Sequence, residues 1–426
     1  MTVRITKPIQ GGSTRAIASK SEAHRLLICA ALADSETYIT CPERSEDIDA
    51  TIRCLLAMGA ESRYDQNGIF ITPINRNVEK QSEYVLDCGE SGSTLRFLLP
   101  VCGSLFLRTF FHMGGRLPQR PLSELCNEMI IHGCSFSNLG SSPLECTGRL
   151  ESGKFTLPGN VSSQFVSGLM FALPLLVGDS LISITGIMES RPYVDMTLEA
   201  LRLFGVGIVQ EKLNAYSIAG SQIFRSPQKA RVGGDWSSAA FWLSAGAIGK
   251  NGVTCSNLDP VSKQGDRAIA DLLSRFGARV VWGDNSLTVS PGALRGADID
   301  VRDTPDLAPT LAAVASIAEG KTVIRNAGRL RIKESDRLHT TAAFLTDLGA
   351  DISEVGDGLS IVGKKMLKGG VTQSYGDHRI AMSAAIISAR CEEPVVIRGA
   401  EAVRKSYRNF FEDFSNSLGG EFEIIN

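Results

Sequence analysis

Apolar and polar residues follow one another along this chain in two rhythms, and residues 236–289 show both. From Trp236 to Ile248 the chain is apolar and small nearly all round, which predicts a buried helix. A short β-prone run, Val253-Thr254-Cys255, follows it. Over Arg267 to Phe276, Ile269, Leu272, Leu273 and Phe276 fall on one face at helical spacing, predicting a half-exposed helix. Gly277 fits the left-handed position that ends such a helix. Period-two alternation then returns at Arg279–Trp282 and Leu287–Val289, around the hairpin signal Gly283-Asp284-Asn285. The pattern reads as βαβαββ, with one buried and one half-exposed helix.

That pattern repeats. The glycine ending the half-exposed helix recurs at Gly59, Gly133, Gly205, Gly277, Gly349 and Gly419, in steps of 74, 72, 72, 72 and 70 residues. A period this regular makes the chain an array of six copies. Hairpin turns at Asn67-Gly68 and Asp357-Gly358 keep the same phase. The sixth copy is incomplete, since only residues 421–426 follow Gly419-Gly420. Two strand-like pieces, Val3–Thr6 and Thr14–Ile17, stand ahead of the first buried helix, so the N-terminal segment is expected to complete the sixth copy. The expected fold is α/β, an array of α+β repeats in two similar domains of three βαβαββ units each. One domain would be discontinuous (1–18 with 228–426) and the other continuous (19–227). Two crossings between them predict a hinge and a ligand site in the inter-domain cleft.

Composition narrows the function. Across 426 residues, 44 basic and 46 acidic side chains nearly cancel, so nothing global favours nucleic acid or an acidic membrane. Ten cysteines without a CxxC pair argue for reduced thiols, against a disulfide framework or a zinc site. The five histidines lack metal-ligand spacing with Cys or carboxylate. Phosphate-loop and dinucleotide fingerprints are missing. The N-terminus reads as a strand, with no targeting character, and the longest apolar stretch, 169–177, is too short to span a bilayer. A soluble cytoplasmic protein, monomeric, is the expectation.

Polar residues that a plain scaffold does not need cluster at two phases. One phase, 39 to 43 residues ahead of each glycine, holds Lys20, Gly92, Ser163, Ser237, Asp306 and His378. The other, 12 to 16 residues ahead, holds Asp47, Arg120, Ser190 with Tyr193, Gln264, Lys333 with Glu334 and Arg337, and Lys405. Both phases read as the first turns of the two helices, giving twelve helix N-termini directed to one region. Free N–H groups and dipoles there favour anions. Lys20, Arg25, Arg120, Lys333, Arg337, Arg379 and Lys405 add cations that the net charge of −2 conceals. Such a field selects a small, multiply negative ligand. Taken singly, Ser162, Ser163, Asp235 or Asp306 is more often a helix cap. Asp377-His378-Arg379 is harder to read as scaffold, because cations at a helix start oppose the dipole.

The motifs in order resemble the 5-enolpyruvylshikimate-3-phosphate synthases. They are Ser19-Lys20-Ser21-Glu22-Ala23-His24-Arg25, Gly89-Glu90-Ser91-Gly92-Ser93-Thr94-Leu95-Arg96, Arg116-Leu117-Pro118-Gln119-Arg120-Pro121, Ser162-Ser163-Gln164-Phe165, Ser190-Arg191-Pro192-Tyr193, Thr304-Pro305-Asp306, Arg331 to Arg337, and Asp377-His378-Arg379. The resemblance covers essentially the whole chain and implies two domains of three βαβαββ units, an inside-out α/β barrel. It implies transfer of the enolpyruvyl group of phosphoenolpyruvate to the 5-hydroxyl of shikimate 3-phosphate, with phosphate released and no metal or organic cofactor. By that resemblance Lys20, Gly92, Arg120, Gln164, Arg337, Arg379 and Lys405 hold phosphoenolpyruvate. Lys20, Ser21, Arg25, Ser162, Ser163, Gln164, Ser190, Tyr193, Asp306 and Lys333 hold shikimate 3-phosphate, with Ser21 and Arg25 on its carboxylate and the serines on its phosphate. Asp306 is the expected base for the hydroxyl, Glu334 the expected acid and base at the methylene carbon, and Lys20 and Lys405 fixed cations for the charged adduct. Lys333 and Arg337 oppose the raised pKa that Glu334 would need at neutral pH.

This chain departs from the family pattern in three places. Glu90 stands where Asn is usual, and must be protonated, turned away or paired with a cation such as Arg96. Arg329 stands where an Asn often lies, and no proline follows Lys405-Ser406. Gly92 stands where the glyphosate-sensitive class keeps glycine, which implies inhibition competitive with phosphoenolpyruvate. The rival readings are the sister transferase acting on UDP-N-acetylglucosamine and a non-catalytic ligand-binding homologue. The first lacks its loop cysteine here, since none lies between Cys102 and Cys126. The second would need loss of Asp306, Glu334, Lys20 and Lys405, all present.

Overall fold

The computed structural model describes residues 1–75, 82–212 and 214–425, so Asn426, counted above in the last strand, lies outside the described residues. All six repeat glycines have the left-handed backbone that the pattern requires, with φ of +98°, +93°, +74°, +101°, +91° and +69° in chain order. Among the described residues, helices alternate as the rhythm predicts. They are α1 (Lys20–Ala31), α2 (Glu46–Ala57), α3 (Gly92–Leu105), α4 (Ser123–Ile131), α5 (Ser163–Ala172), α6 (Arg191–Leu203), α7 (Trp236–Ile248), α8 (Ile269–Phe276), α9 (Ala308–Ala315), α10 (Arg337–Asp347), α11 (His378–Ile387) and α12 (Phe410–Asn416). The odd-numbered helices are buried almost all round: their charged residues stand in the first two turns and the rest are mostly small or apolar.

Six four-stranded sheets are built among the described residues. In each, two parallel strands are followed by an antiparallel pair. The fourth repeat shows the register: Gly12–Arg15 runs parallel to Val253–Ser256, which pairs antiparallel with Ser286–Ser290 and so reaches Arg279–Gly283. The chain divides into two compact units, residues 1–17 with 233–426 and residues 18–232, each with its own apolar core.

Two details differ from the sequence reading. Of the N-terminal pieces, only Thr2–Lys7 completes the sixth repeat, lying between Val395–Arg398 and Glu421–Ile425. The second piece joins the fourth repeat, because Gly11 and Gly12 (φ +108° and +137°) turn the backbone out of the sixth sheet. The same exchange closes the other unit: Lys229–Arg231 runs parallel to Tyr38–Thr40, so residues 228–232 belong with 18–232 rather than with the C-terminal part. The second expected strand and the boundary at 228 both missed that each first repeat borrows its opening strand from elsewhere in the chain.

Candidate active site

In the unit formed by residues 18–232, the first turns of α1, α3 and α5 carry the expected residues. Ser19 Oγ accepts from the Glu22 N–H (3.4 Å) and starts α1 at Lys20. The Lys20 ammonium meets Asp47 Oδ2 of α2 at 3.0 Å, both side chains largely buried. Arg25, 2% exposed, donates through Nε to Thr197 Oγ1 (2.8 Å), through Nη1 to the Ser21 carbonyl (2.6 Å) and through Nη2 to the Tyr193 carbonyl (2.7 Å). Three of its five donors are thereby fixed and α1 is tied to α6. Burial pushes the Arg25 guanidinium down to about 10, which leaves it charged at neutral pH.

Ser91 Oγ caps α3 by accepting from the Thr94 N–H (3.3 Å), which makes Gly92 the first helical residue. A Cβ on Gly92 would stand 2.5 Å from Arg96 Nη1 and 2.9 Å from Arg120 Nη1, so both guanidinium groups crowd this helix start. Arg96 also donates to Gln164 Oε1 (3.1 Å) and to the Pro121 carbonyl (3.0 Å), while Gln164 Nε2 donates to Ser93 Oγ (2.9 Å). Gly92, Arg120 and Gln164 therefore surround one spot, and Arg96 is a site residue that the motif reading treated only as a partner for Glu90. Glu90 itself lies across Gly115, where a Cβ would meet its carboxyl atoms at 2.5 to 2.8 Å. Ser162 Oγ caps α5 by accepting from the Gln164 N–H (3.3 Å), with Ser163 as the first residue of the helix. Ser190 precedes α6 with a left-handed backbone (φ +55°), and Tyr193 stands in the first turn. Sequence reasoning also missed a buried chain of hydroxyls. His24 Nδ1 meets Thr51 Oγ1 (2.7 Å), Thr51 meets Thr94 Oγ1 (2.7 Å), and Thr94 reaches Ser91 Oγ (2.7 Å), linking α1, α2 and the cap of α3. Burial, then Lys20 and Arg25, hold the His24 ring well below its usual value, and so neutral.

In the other unit, acids and cations interlock. Asp306 Oδ1 accepts from Arg337 Nη1 (2.9 Å) and lies 3.7 Å from Lys333 Nζ, and Asp306 Oδ2 accepts from Arg379 Nη2 (2.9 Å). Arg337, 1% exposed, also donates to Glu334 Oε2 (2.5 Å) and to both oxygens of Asp377 (2.8 and 3.3 Å). Asp377 is fully buried, caps α11 through the Arg379 N–H (2.9 Å) and accepts from Ser335 Oγ (3.1 Å). Burial alone would raise the Asp306 carboxyl, but Arg379, Lys333 and Arg337 together hold it well below the carboxylate range. Burial pushes the Lys333 ammonium down to about 8, against the pull of Asp306. Lys405 closes a 3₁₀ turn, Ala400–Lys405, and is half-buried.

The second phase is not uniformly a row of α-helix starts. Asp47, Ser190, Tyr193 and Arg337 stand there, but Gln264 opens a 3₁₀ turn (Gly265–Ala268) ahead of α8, and Arg120, Lys333 and Lys405 end or follow 3₁₀ turns. Proline at 118 and 121 prevents an earlier start for α4. Asp306 likewise sits in a 3₁₀ turn, Pro305–Leu307, just before α9. These positions place side chains ahead of the helix rather than on its first turn. Among the described residues, no group of three or more His, Cys, Asp or Glu could hold a metal ion, and no helix is long and apolar enough to cross a membrane.

Known proteins match this arrangement over its whole length. The chain is 44% identical over 415 residues to a 3-phosphoshikimate 1-carboxyvinyltransferase of Clostridium kluyveri, covering 97% of this chain and 96% of that one. To the protein of that name from Clostridioides difficile it is 40% identical over 425 residues, covering 97% of each. In fold it resembles an EPSP synthase structure from Acinetobacter baumannii, with a TM-score of 0.83 at 24% identity over 99% of this chain and 100% of that one. The enolpyruvyl transferase NikO from Streptomyces tendae gives 0.78 at 18% identity, over 99% of this chain and 98% of that one. The family model for EPSP synthase (3-phosphoshikimate 1-carboxyvinyltransferase) matches residues 3–414, and the chain belongs to that family.

Proposed function

We propose that this chain transfers the enolpyruvyl group of phosphoenolpyruvate to the 5-hydroxyl of shikimate 3-phosphate, and that its two compact units divide the work. Residues 18–232 supply the phosphate and carboxylate sites of the acceptor: Ser162, Ser163, Gln164 and Ser190 for the phosphate, Ser21 and the two remaining donors of Arg25 for the carboxylate, and Tyr193 beside the ring. Lys20, Gly92 and Arg120 from the same unit hold the donor, together with Arg337, Arg379 and Lys405 from the other.

The observation that carries this reading is the interlocked group Asp306–Lys333–Glu334–Arg337–Arg379. Arginines bound to carboxylates are suited to exchange them for an incoming carboxylate of the same geometry. When a substrate carboxylate takes Arg337 and Arg379, Asp306 loses two of the three charges that suppress its basicity, and Glu334 loses its ion pair with Arg337. Asp306 can then accept the proton of the 5-hydroxyl as that oxygen attacks C2 of phosphoenolpyruvate. Glu334 gives a proton to the methylene carbon, forming a methyl group in the tetrahedral adduct. It takes one back as the C–O bond to phosphate breaks and the new double bond forms. Lys20, Lys405 and the arginines stabilise the anionic adduct and the leaving phosphate. This exchange addresses the conflict between a proton-carrying Glu334 and its cationic neighbours.

The enzyme works in the cytoplasm as a monomer on this reading, and glyphosate competes with phosphoenolpyruvate. Phosphate release is to be measured with phosphoenolpyruvate plus shikimate 3-phosphate, plus UDP-N-acetylglucosamine, and alone. Release only in the first mixture is expected, with Asp306→Ala and Glu334→Ala folded and inactive. Release with the nucleotide sugar, or in neither mixture, would sink the proposal.

A further inference from the structure

One buried acid whose charge bears on this group has no role in the chemistry above. Asp266 lies in the 3₁₀ turn ahead of α8 and is 1% exposed. One carboxyl oxygen is hydrogen-bonded to Ser237 Oγ, in the first turn of α7. The other, Oδ1, has no hydrogen-bond partner among the described residues. Burying a carboxyl half-satisfied is costly and a scaffold would avoid it. Its turn packs on α7, and α7 in turn packs against the 305–307 turn that carries Asp306 and against α11, which carries Arg379. The neighbouring Gln264 is fully used as scaffold, accepting from the Trp236 N–H (3.0 Å) and donating to the Gly234 carbonyl (2.8 Å), so Asp266 is held on a rigid turn.

We propose that Asp266 is a positioning residue for the reaction, acting through Ser237 and through the charge it brings to bear on Asp306. This rests on the role given to Asp306 above. The charged groups bearing on Asp266 are Asp306, Arg379 and Asp235, from the 305–307 turn, α11 and the cap of α7. Burial, then Asp306, pushes the Asp266 carboxyl up to about 7, against the pull of Arg379 and the Ser237 bond. It therefore changes charge across neutrality. As the acid it donates its proton to Ser237 Oγ, and the serine hydroxyl proton is directed elsewhere. As the anion it accepts from Ser237, and it opposes negative charge on Asp306. That makes Asp306 a stronger base. Activity gains from ionised Asp266, so turnover should rise with pH through about 7.

The test is the pH profile of kcat and of KM for each substrate, for the parent chain, Asp266→Asn and Ser237→Ala. Asp266→Asn keeps the shape and holds the position neutral. It should match the parent at pH 6 and lose several-fold in kcat at pH 8, with both KM values little changed. Ser237→Ala removes a bond that favours the anion, so the rise should move to higher pH, and this variant carries the test if Asp266→Asn does not fold. An unchanged rise near pH 7 in the folded variants overturns the proposal. So does an equal loss at every pH, which would mark a purely structural acid. A parent chain releasing no phosphate fails the proposed function itself, whereas an active parent with unaltered variants fails only this inference.

Discussion

At the scale of single residues, the site is set by what fits between charged groups. Gly92 is required because the space a side chain would take is already filled by the Arg96 and Arg120 guanidinium groups. Both groups end flexible side chains, so Gly92→Ala should fold and displace them. Its KM for phosphoenolpyruvate should rise about tenfold with kcat nearly kept, the pattern of lost donor binding. An unchanged KM would show that Arg120 does not serve the donor. Lys333 offers a second check. Its ammonium, pushed down to about 8 by burial, is charged below that pH and neutral above it. Activity that needs the cation should fall as pH rises through about 8, and Lys333→Arg, which stays charged, should abolish that fall while lowering kcat. Steady-state profiles from pH 6 to 10 read both outcomes.

At the scale of elements, the helix starts are held by buried acids as much as by the dipole. Asp377 caps α11 and anchors Arg337, an arginine 1% exposed, so it fixes α10 and α11 together. Asp377→Asn keeps the cap but removes the charge, leaving Arg337 partly uncompensated. A loss of about 3 kcal/mol of stability is expected, since breaking a buried pair strands the partner charge. Denaturant midpoints measure it, and a change under about 0.5 kcal/mol would show that Asp306 and Glu334 suffice. The helices themselves were legible in the sequence, because an all-apolar run and a one-faced run at helical spacing admit few other readings. Gly277 announced its own φ of +101°. What the sequence could not reveal was pairing at a distance. Nothing in Lys229-Ala230-Arg231 says that it runs beside Tyr38–Thr40, or in Asp266 that its charge bears on Asp306, since register and burial of isolated polar residues arise only from packing. The 3₁₀ turns that precede Arg120 and Lys333, and the one that Lys405 closes, escaped for a similar reason: phase counted from a glycine locates the segment, not the type of turn.

At the scale of the molecule, the two borrowed strands decide what can fold separately. Residues 18–232 contain three complete sheets, because Lys229–Arg231 supplies the opening strand of the first repeat, and their apolar core is drawn wholly from within that stretch. The other unit has no such continuity: its sixth sheet needs Thr2–Lys7 and its fourth needs Gly12–Arg15. A fragment spanning 18–232 should therefore fold alone and unfold cooperatively, whereas 233–426 without its first seventeen residues should not. Trimming the first fragment to end at 227 removes three paired residues and the buried side chains of Ala230 and Val232. Burial of that apolar surface is worth roughly 3 kcal/mol with the lost backbone pairing, or about 6–12 °C in Tm for a fragment of this size. Calorimetry of the two fragments measures the difference. Equal melting temperatures would show that the borrowed strand does not stabilise the first repeat, and the boundary after 227 read from sequence would then serve as well as the one after 232. A large difference would locate the covalent crossing after Val232, where the chain passes directly from the last paired strand to the cap of α7.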